Sequence, residues 1–124
     1  MVRALDFLNY HKITHRDLKP DNVFIKKMMT DKEGNNMVTF KLGDFGFAVK
    51  SDKNKQIAGT YPYMSPEMYK LEEYGNEVDV WALGVITNEL LFGENPFIGK
   101  NKAEIQNLVL FKPYFVKVPG SIGP

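Results

Sequence analysis

Residues 76–92 are apolar around most of a helical circumference, and this constrains the fold more than any other feature of the chain. Val78, Trp81, Leu83, Val85 and Ile86 leave no wide polar face, so the segment has to be surrounded by other elements. Asn76 followed by Asp79 has the form of a capping box, Gly93 suits a C-terminal cap, and Pro96 lies beyond it. The spacing predicts a core helix from Asn76 to Phe92.

The rest of the chain must pack around that helix. With 124 residues there is room for one small domain burying about two-thirds of its unfolded-chain surface. Leu5 and Leu8, with Val2, recur at helical spacing over residues 1–11. Val23-Phe24-Ile25 suits a buried strand, residues 31–36 carry turn chemistry, and Val38, Phe40 and Leu42 alternate with Thr39 and Lys41. These predict a hairpin ending at Gly43-Asp44. Residues 47–64 have no clear period and read as a loop. Asn101 with Glu104 forms a second capping box before Ile105, Leu108 and Val109. Residues 113–124, with Pro113, Pro119, Gly120, Gly123 and Pro124, read as an irregular tail. The expected class is α+β, a mostly helical unit with one short β-hairpin.

Composition removes several function classes. The net charge of +1 gives no bulk attraction to nucleic acid or membrane, and no cysteine is present for disulfides or thiolate metal sites. No apolar run reaches the length of a membrane span, and Val2-Arg3-Ala4-Leu5-Asp6 is too charged for a signal peptide. A soluble cytoplasmic protein with neither nucleic-acid nor membrane partner is the expectation.

The chemistry lies in three short words. Residues 15–22 read His-Arg-Asp-Leu-Lys-Pro-Asp-Asn, residues 44–46 Asp-Phe-Gly, and residues 65–67 Ser-Pro-Glu. In this order and with these gaps they resemble the catalytic loop, metal-binding loop and activation-segment end of eukaryotic protein kinases. Lys19 within the first word resembles the Ser/Thr branch. The resemblance implies a transferase that moves the γ-phosphate of ATP, with Mg2+, to a protein Ser or Thr hydroxyl.

Residue by residue, the resemblance makes Asp17 the group that orients the substrate hydroxyl and accepts its proton. Lys19 would compensate charge near the γ-phosphate. Asn22 and Asp44 would offer oxygens to magnesium, a hard cation that takes few ligands from protein. Thr60, in Gly59-Thr60-Tyr61-Pro62, matches a docking-loop threonine that bonds the catalytic aspartate and lysine. Phe24 stands where the family floors the adenine pocket, and equally suits an ordinary strand core. Asp21 and Glu89 match positions that favour basic residues upstream of the phosphoacceptor; they also suit two solvated acids. His15 is implied to be structural, packed against Phe45 rather than acting as acid or base, and Gly46 completes that loop. Arg16 would reach toward the activation segment. Asp79 would accept catalytic-loop donors, and doubles as a carboxylate at a helix N-terminus. Glu67 would pair with an arginine, yet Arg3 and Arg16 are the only arginines.

Three departures shape the expectation. Gln56 occupies the place of the usual activating threonine, leaving Ser51 as the single hydroxyl residue between Gly46 and Gly59. Asn22 and Asp44 are further apart than the family's usual spacing, with the excess in the 31–36 turn. No Gly-x-Gly-x-x-Gly loop or Val-Ala-x-Lys strand is present. The chain therefore reads as a partial kinase domain over 1–112, from the large lobe, inactive alone for want of half its nucleotide clamp. Its alternatives are a catalytically dead kinase-like fragment that binds partners, and the product of a truncated gene model.

Overall fold

The computed structural model describes residues 1–112. The order is α1 (Val2–Tyr10), β1 (Ile13–Thr14), β2 (Val23–Thr30), β3 (Asn36–Leu42), β4 (Val49–Lys50), α2 (Pro66–Tyr69), α3 (Glu77–Phe92) and α4 (Lys102–Phe111). Single 3-10 turns at Pro20–Asn22 and Tyr61–Tyr63 each begin with proline at one of their first positions, where its missing N–H costs nothing. The mixed α+β class follows. The tail expected over 113–124 lies outside the described residues.

Helix α3 organises the core on one side. Val78, Ala82, Val85 and Ile86 are buried. Val78 and Val85 join Met64, Met68, Tyr69, Tyr74, Phe97, Ile105 and Val109 in one cluster, while Ala82 and Ile86 meet Leu18 in a second. The expectation of a helix enclosed on all sides is corrected: Val80, Leu90 and Leu91 are 62%, 79% and 62% exposed. The described elements pack against one side of the helix and leave the other uncovered.

The two expected capping boxes diverge. Asn101 sits in extended backbone and its Oδ1 accepts the Glu104 N–H at 2.9 Å, while Glu104 Oε2 accepts the Lys100 N–H at 2.7 Å. Asn76 has helical dihedrals and makes no side-chain cap, because an N-cap needs non-helical backbone to turn its oxygen inward. Its amide instead donates to the Ile13 carbonyl at 2.5 Å, tying the start of α3 to the strand before His15. Gly93 caps the other end in the left-handed region, φ 79°, as its sequence position predicts.

Strands β2 and β3 form an antiparallel hairpin with a bulge between Ile25 and Lys27. Asp31 closes its turn by accepting the Glu33 and Asn35 N–H groups, and Asn35 holds its carboxyl below the ordinary value. The expected buried strand is exposed instead: Phe24 and Ile25 are 45% and 60% exposed. Among the described residues no third strand covers either edge, and Leu42 at the base is the residue that packs on the second core cluster. The segment read as a loop, 47–64, contains β4, which pairs with β1 through Ile13↔Lys50 and Thr14↔Val49.

Candidate active site

His15, Arg16 and Asp17 lie between β1 and the first 3-10 turn, and Asp79 of α3 holds this loop in place. Asp79 is 3% exposed; its Oδ2 accepts the His15 N–H at 2.8 Å and its Oδ1 the Arg16 N–H at 3.0 Å. Burial pushes this carboxyl above the usual carboxylate range, and the two backbone donors pull it part of the way back. Arg16 is fixed in the left-handed region at φ 69°, a conformation costing a non-glycine residue about 1–2 kcal/mol. Gly59, at φ 103°, packs on the Arg16 carbonyl so closely that any Cβ there would collide with it.

His15 is fully buried and satisfied at both ring nitrogens. Nδ1 accepts the Asp17 N–H at 3.2 Å, so the proton sits on Nε2, which donates to the Gly43 carbonyl at 2.8 Å. The Phe45 ring meets the imidazole edge-on at 4.9 Å between centroids. A histidine committed on all sides joins the loop bearing Asp17 to the loop bearing Asp44.

Four side chains converge next. Thr60 Oγ1 donates to Asp17 Oδ1 at 2.7 Å and accepts from Lys19 Nζ at 3.0 Å. Lys19 Nζ is 3.9 Å from Asp17 Oδ2. Asn22 Nδ2 donates to the Asp17 carbonyl at 2.8 Å and to Asp17 Oδ2 at 3.3 Å. Asp17 and Asn22 are each 5% exposed, so the carboxylate is oriented by groups that are themselves held. A positioned carboxylate beside a half-buried ammonium can take a proton from a hydroxyl and balance charge on a phosphoryl group.

The Gly43 N–H donates to the Asn22 carbonyl at 2.9 Å, which brings the backbone before Asp44 alongside Asn22. With its amide nitrogen committed to Asp17, Asn22 has its side-chain oxygen left to offer. Asp44, at φ 52°, has Oδ1 on the Gly46 N–H at 3.2 Å and keeps Oδ2. Two hard oxygen donors fit magnesium, which retains waters and takes its remaining ligands from substrate phosphates. Among the described residues no three His, Cys, Asp or Glu side chains form a metal-holding group, so a protein-only cage is not what these residues build.

The remaining candidates occupy varied surroundings. Phe24 is half-exposed on β2 with its ring against Gly43; a Cβ at Gly43 would lie 2.6 Å from Phe24 Cε2. Tyr63 donates to Glu89 at 2.8 Å and 3.1 Å. Burial, the Glu89 hydrogen bond and the charges of Glu89 and Asp21 push its hydroxyl up to about 12, so Asp21 and Glu89 act on one point. Glu67 is half-buried, with no ion pair among the described residues. Ser51 is occupied in a local turn with Lys53.

The sequence reading gave no individual role to Tyr63, Tyr74, Gly43 or Gly59, and read Asn76 as a helix cap where it instead anchors to the Ile13 carbonyl. Gly59 beside Thr60 carried the only legible signal, a glycine where the backbone turns sharply. The tyrosines carried none, since their roles arise from partners such as Glu89, 26 positions away along the chain.

The comparisons agree with this geometry. A family model described as protein kinase domain matches residues 1–119. An Aurora kinase of Eremothecium gossypii is 46% identical over 82% of the chain, covering 26% of the relative. Protein kinase C-like 1 of Caenorhabditis elegans is 39% identical over 94% of the chain and 16% of its own length. The serine/threonine-protein kinase TIO of Arabidopsis thaliana is 44% identical over 78% of the chain and 7% of its length. The chain thus spans about a quarter or less of these relatives. Together with the motif words and the convergence of Asp17, Lys19, Asn22 and Thr60, these matches place the chain in the eukaryotic Ser/Thr protein kinase family.

Proposed function

We propose that this chain carries the phosphoryl-transfer half of a Ser/Thr protein kinase active site. The observation supporting it most directly is the Thr60 hydroxyl bridging Asp17 and Lys19, three side chains from two separate segments. In this reading Asp17 orients the incoming hydroxyl and receives its proton. Lys19 offsets charge on the phosphoryl group in flight. Thr60 holds both at a fixed separation and couples them to the docking loop. Asn22 and Asp44 would hold Mg2+ of Mg-ATP; the ion supplies charge neutralisation on the phosphates.

Several finer assignments belong to the same reading. Residues 1–112 form the kinase unit. Asp21 and Glu89, whose charges both raise the Tyr63 hydroxyl, favour a substrate with basic residues upstream of its Ser or Thr. Phe24 would floor the adenine site, with Gly43 making room for its ring. Supply of ATP fits a cytoplasmic setting, and no helix among the described residues is long and apolar enough to cross a membrane.

The chain has no glycine-rich loop over the phosphates and no strand lysine before His15, so alone it is expected to show no transfer. The test is label transfer from γ-labelled Mg-ATP to a Ser/Thr peptide by the longest product containing this chain. Transfer lost in Asp17→Ala supports the reading. Transfer that survives Asp17→Ala, or none by a product with a complete nucleotide clamp, leaves the kinase-like binding module in its place.

A further inference from the structure

The segment between Gly46 and Gly59 is tied to the catalytic loop through one arginine and one tyrosine, with no acidic side chain among their hydrogen-bond partners. Arg16 Nε donates to the Phe47 carbonyl at 2.6 Å, at the start of the segment. Arg16 Nη1 donates to the Tyr74 hydroxyl at 3.2 Å, with a longer contact of 3.5 Å to Gln56 Oε1. Tyr74 Oη in turn donates to the Gln56 carbonyl at 2.5 Å. Tyr74 is 2% exposed, and its backbone exchanges two hydrogen bonds with Asn54, at 2.8 Å and 2.9 Å. Its single hydroxyl therefore accepts from the arginine and donates to the segment, using both capacities.

Gln56 stands where a phosphorylated threonine would otherwise meet Arg16. That meeting place is already bonded: the arginine donates to a carbonyl and a phenol and touches an amide oxygen. We propose that Tyr74 is a positioning residue that, with Arg16, seats residues 47–58 on the catalytic loop through uncharged partners, so that no phosphate on the segment is needed. Ser51, whose hydroxyl is closed in a turn with Lys53, takes no part in the seat. The backbone carbonyl, and not the Gln56 side chain, is the principal attachment. What the seat serves rests on the kinase reading, since it shapes the loop that carries Asp17. The seat itself is measurable without substrate.

The experiment is hydrogen exchange on the chain, resolved by segment, for the parent, Tyr74→Phe, Arg16→Lys and Gln56→Ala, each with and without phosphatase. Tyr74→Phe removes one oxygen and leaves the ring. It is expected to raise exchange over residues 52–58 by about tenfold while α4 keeps its parent rate, the size of losing the hydroxyl's bond to the Gln56 carbonyl, with its bond from Arg16 lost beside it. Gln56→Ala should stay within about twofold of the parent, because the carbonyl remains. Phosphatase should change nothing. In a transferring product, Tyr74→Phe should lower kcat per folded site with the KM for ATP unmoved, the folded fraction being counted by its unchanged α4 exchange. Parent-like exchange in Tyr74→Phe overturns the proposal, as does protection of 52–58 that vanishes with phosphatase. If Tyr74→Phe exchanges everywhere, Arg16→Lys decides: a rise confined to 47–58 supports the seat, and a global rise or none overturns it. Absence of kinase activity with the exchange pattern intact would instead refute the functional reading alone.

Discussion

Asp17 is set by neighbours that each have a second task, and the consequences are sharpest at single side chains. The Thr60 hydroxyl both donates to Asp17 and receives from Lys19. Thr60→Val keeps the shape and removes the bridge, leaving a charged pair without its spacer. A loss of about 1.5–3 kcal/mol in transition-state stabilisation is expected, or roughly 10- to 150-fold in kcat/KM, measured by steady-state transfer kinetics. Tyr63 and Tyr69 give a solution test of the same neighbourhood. Burial raises both hydroxyls to about 12, with Glu89 adding to the effect on Tyr63. Both folded-state values lie above the ordinary tyrosine value of 10.0, so the folded form binds more protons between about 10 and 12. Their contribution to stability is complete below that window and falls as pH rises through it. Tyrosinate absorbance should show these two ionising near 12, and Glu89→Gln should lower the Tyr63 midpoint while leaving Tyr69 in place. At this scale the sequence was informative where a residue's role follows from its own motif. Asp17, Lys19 and Asn22 share one loop and converge as the motif implies. Tyr74 and Tyr63 were illegible because their partners are distant in sequence.

Helix α3 shows how one element serves core and site together. Its apolar side builds both hydrophobic clusters, and its first turn directs Asp79 toward the backbone of His15 and Arg16. Asp79→Ala would leave two N–H groups without acceptors in a buried position, costing about 2–4 kcal/mol. Chemical denaturation should show that loss, against about 1 kcal/mol for Asn101→Ala, which removes an exposed cap from α4. The Asp79 carboxyl is raised above the ordinary aspartate value of 3.8 by burial. Between 3.8 and that raised value the folded form binds more protons, so this group's contribution to stability falls as pH rises and is flat above. Asp79→Asn should remove that acid-side slope from the denaturation midpoint. The helix itself was readable from apolar spacing. Its cap was not: Asn76 and Asp79 have the composition of a capping box, but both side chains have longer-range partners in the loop before them. The hairpin failed in the opposite sense. A short apolar run located its first strand and alternation its second, yet neither pattern carries information on whether another element covers the sheet, and Ile25, Met28 and Phe40 remain 60%, 66% and 54% exposed.

Across the whole molecule, the proposed reading gives the described residues the task of orienting a hydroxyl and balancing phosphoryl charge. The groups that grip the far side of a nucleotide are missing from the sequence, and this chain spans about a quarter or less of its compared kinase relatives. On the proposed reading, transfer chemistry belongs to the Asp17 cluster. The most direct test is single-turnover transfer by the longest product containing this chain, comparing the parent with Asp17→Asn. That substitution is nearly isosteric and keeps an oxygen for Thr60, but abolishes proton acceptance by the carboxylate. The transfer rate should fall by about 10²- to 10⁴-fold with ATP binding little changed. A parent-like transfer rate in Asp17→Asn would contradict the assignment of this site.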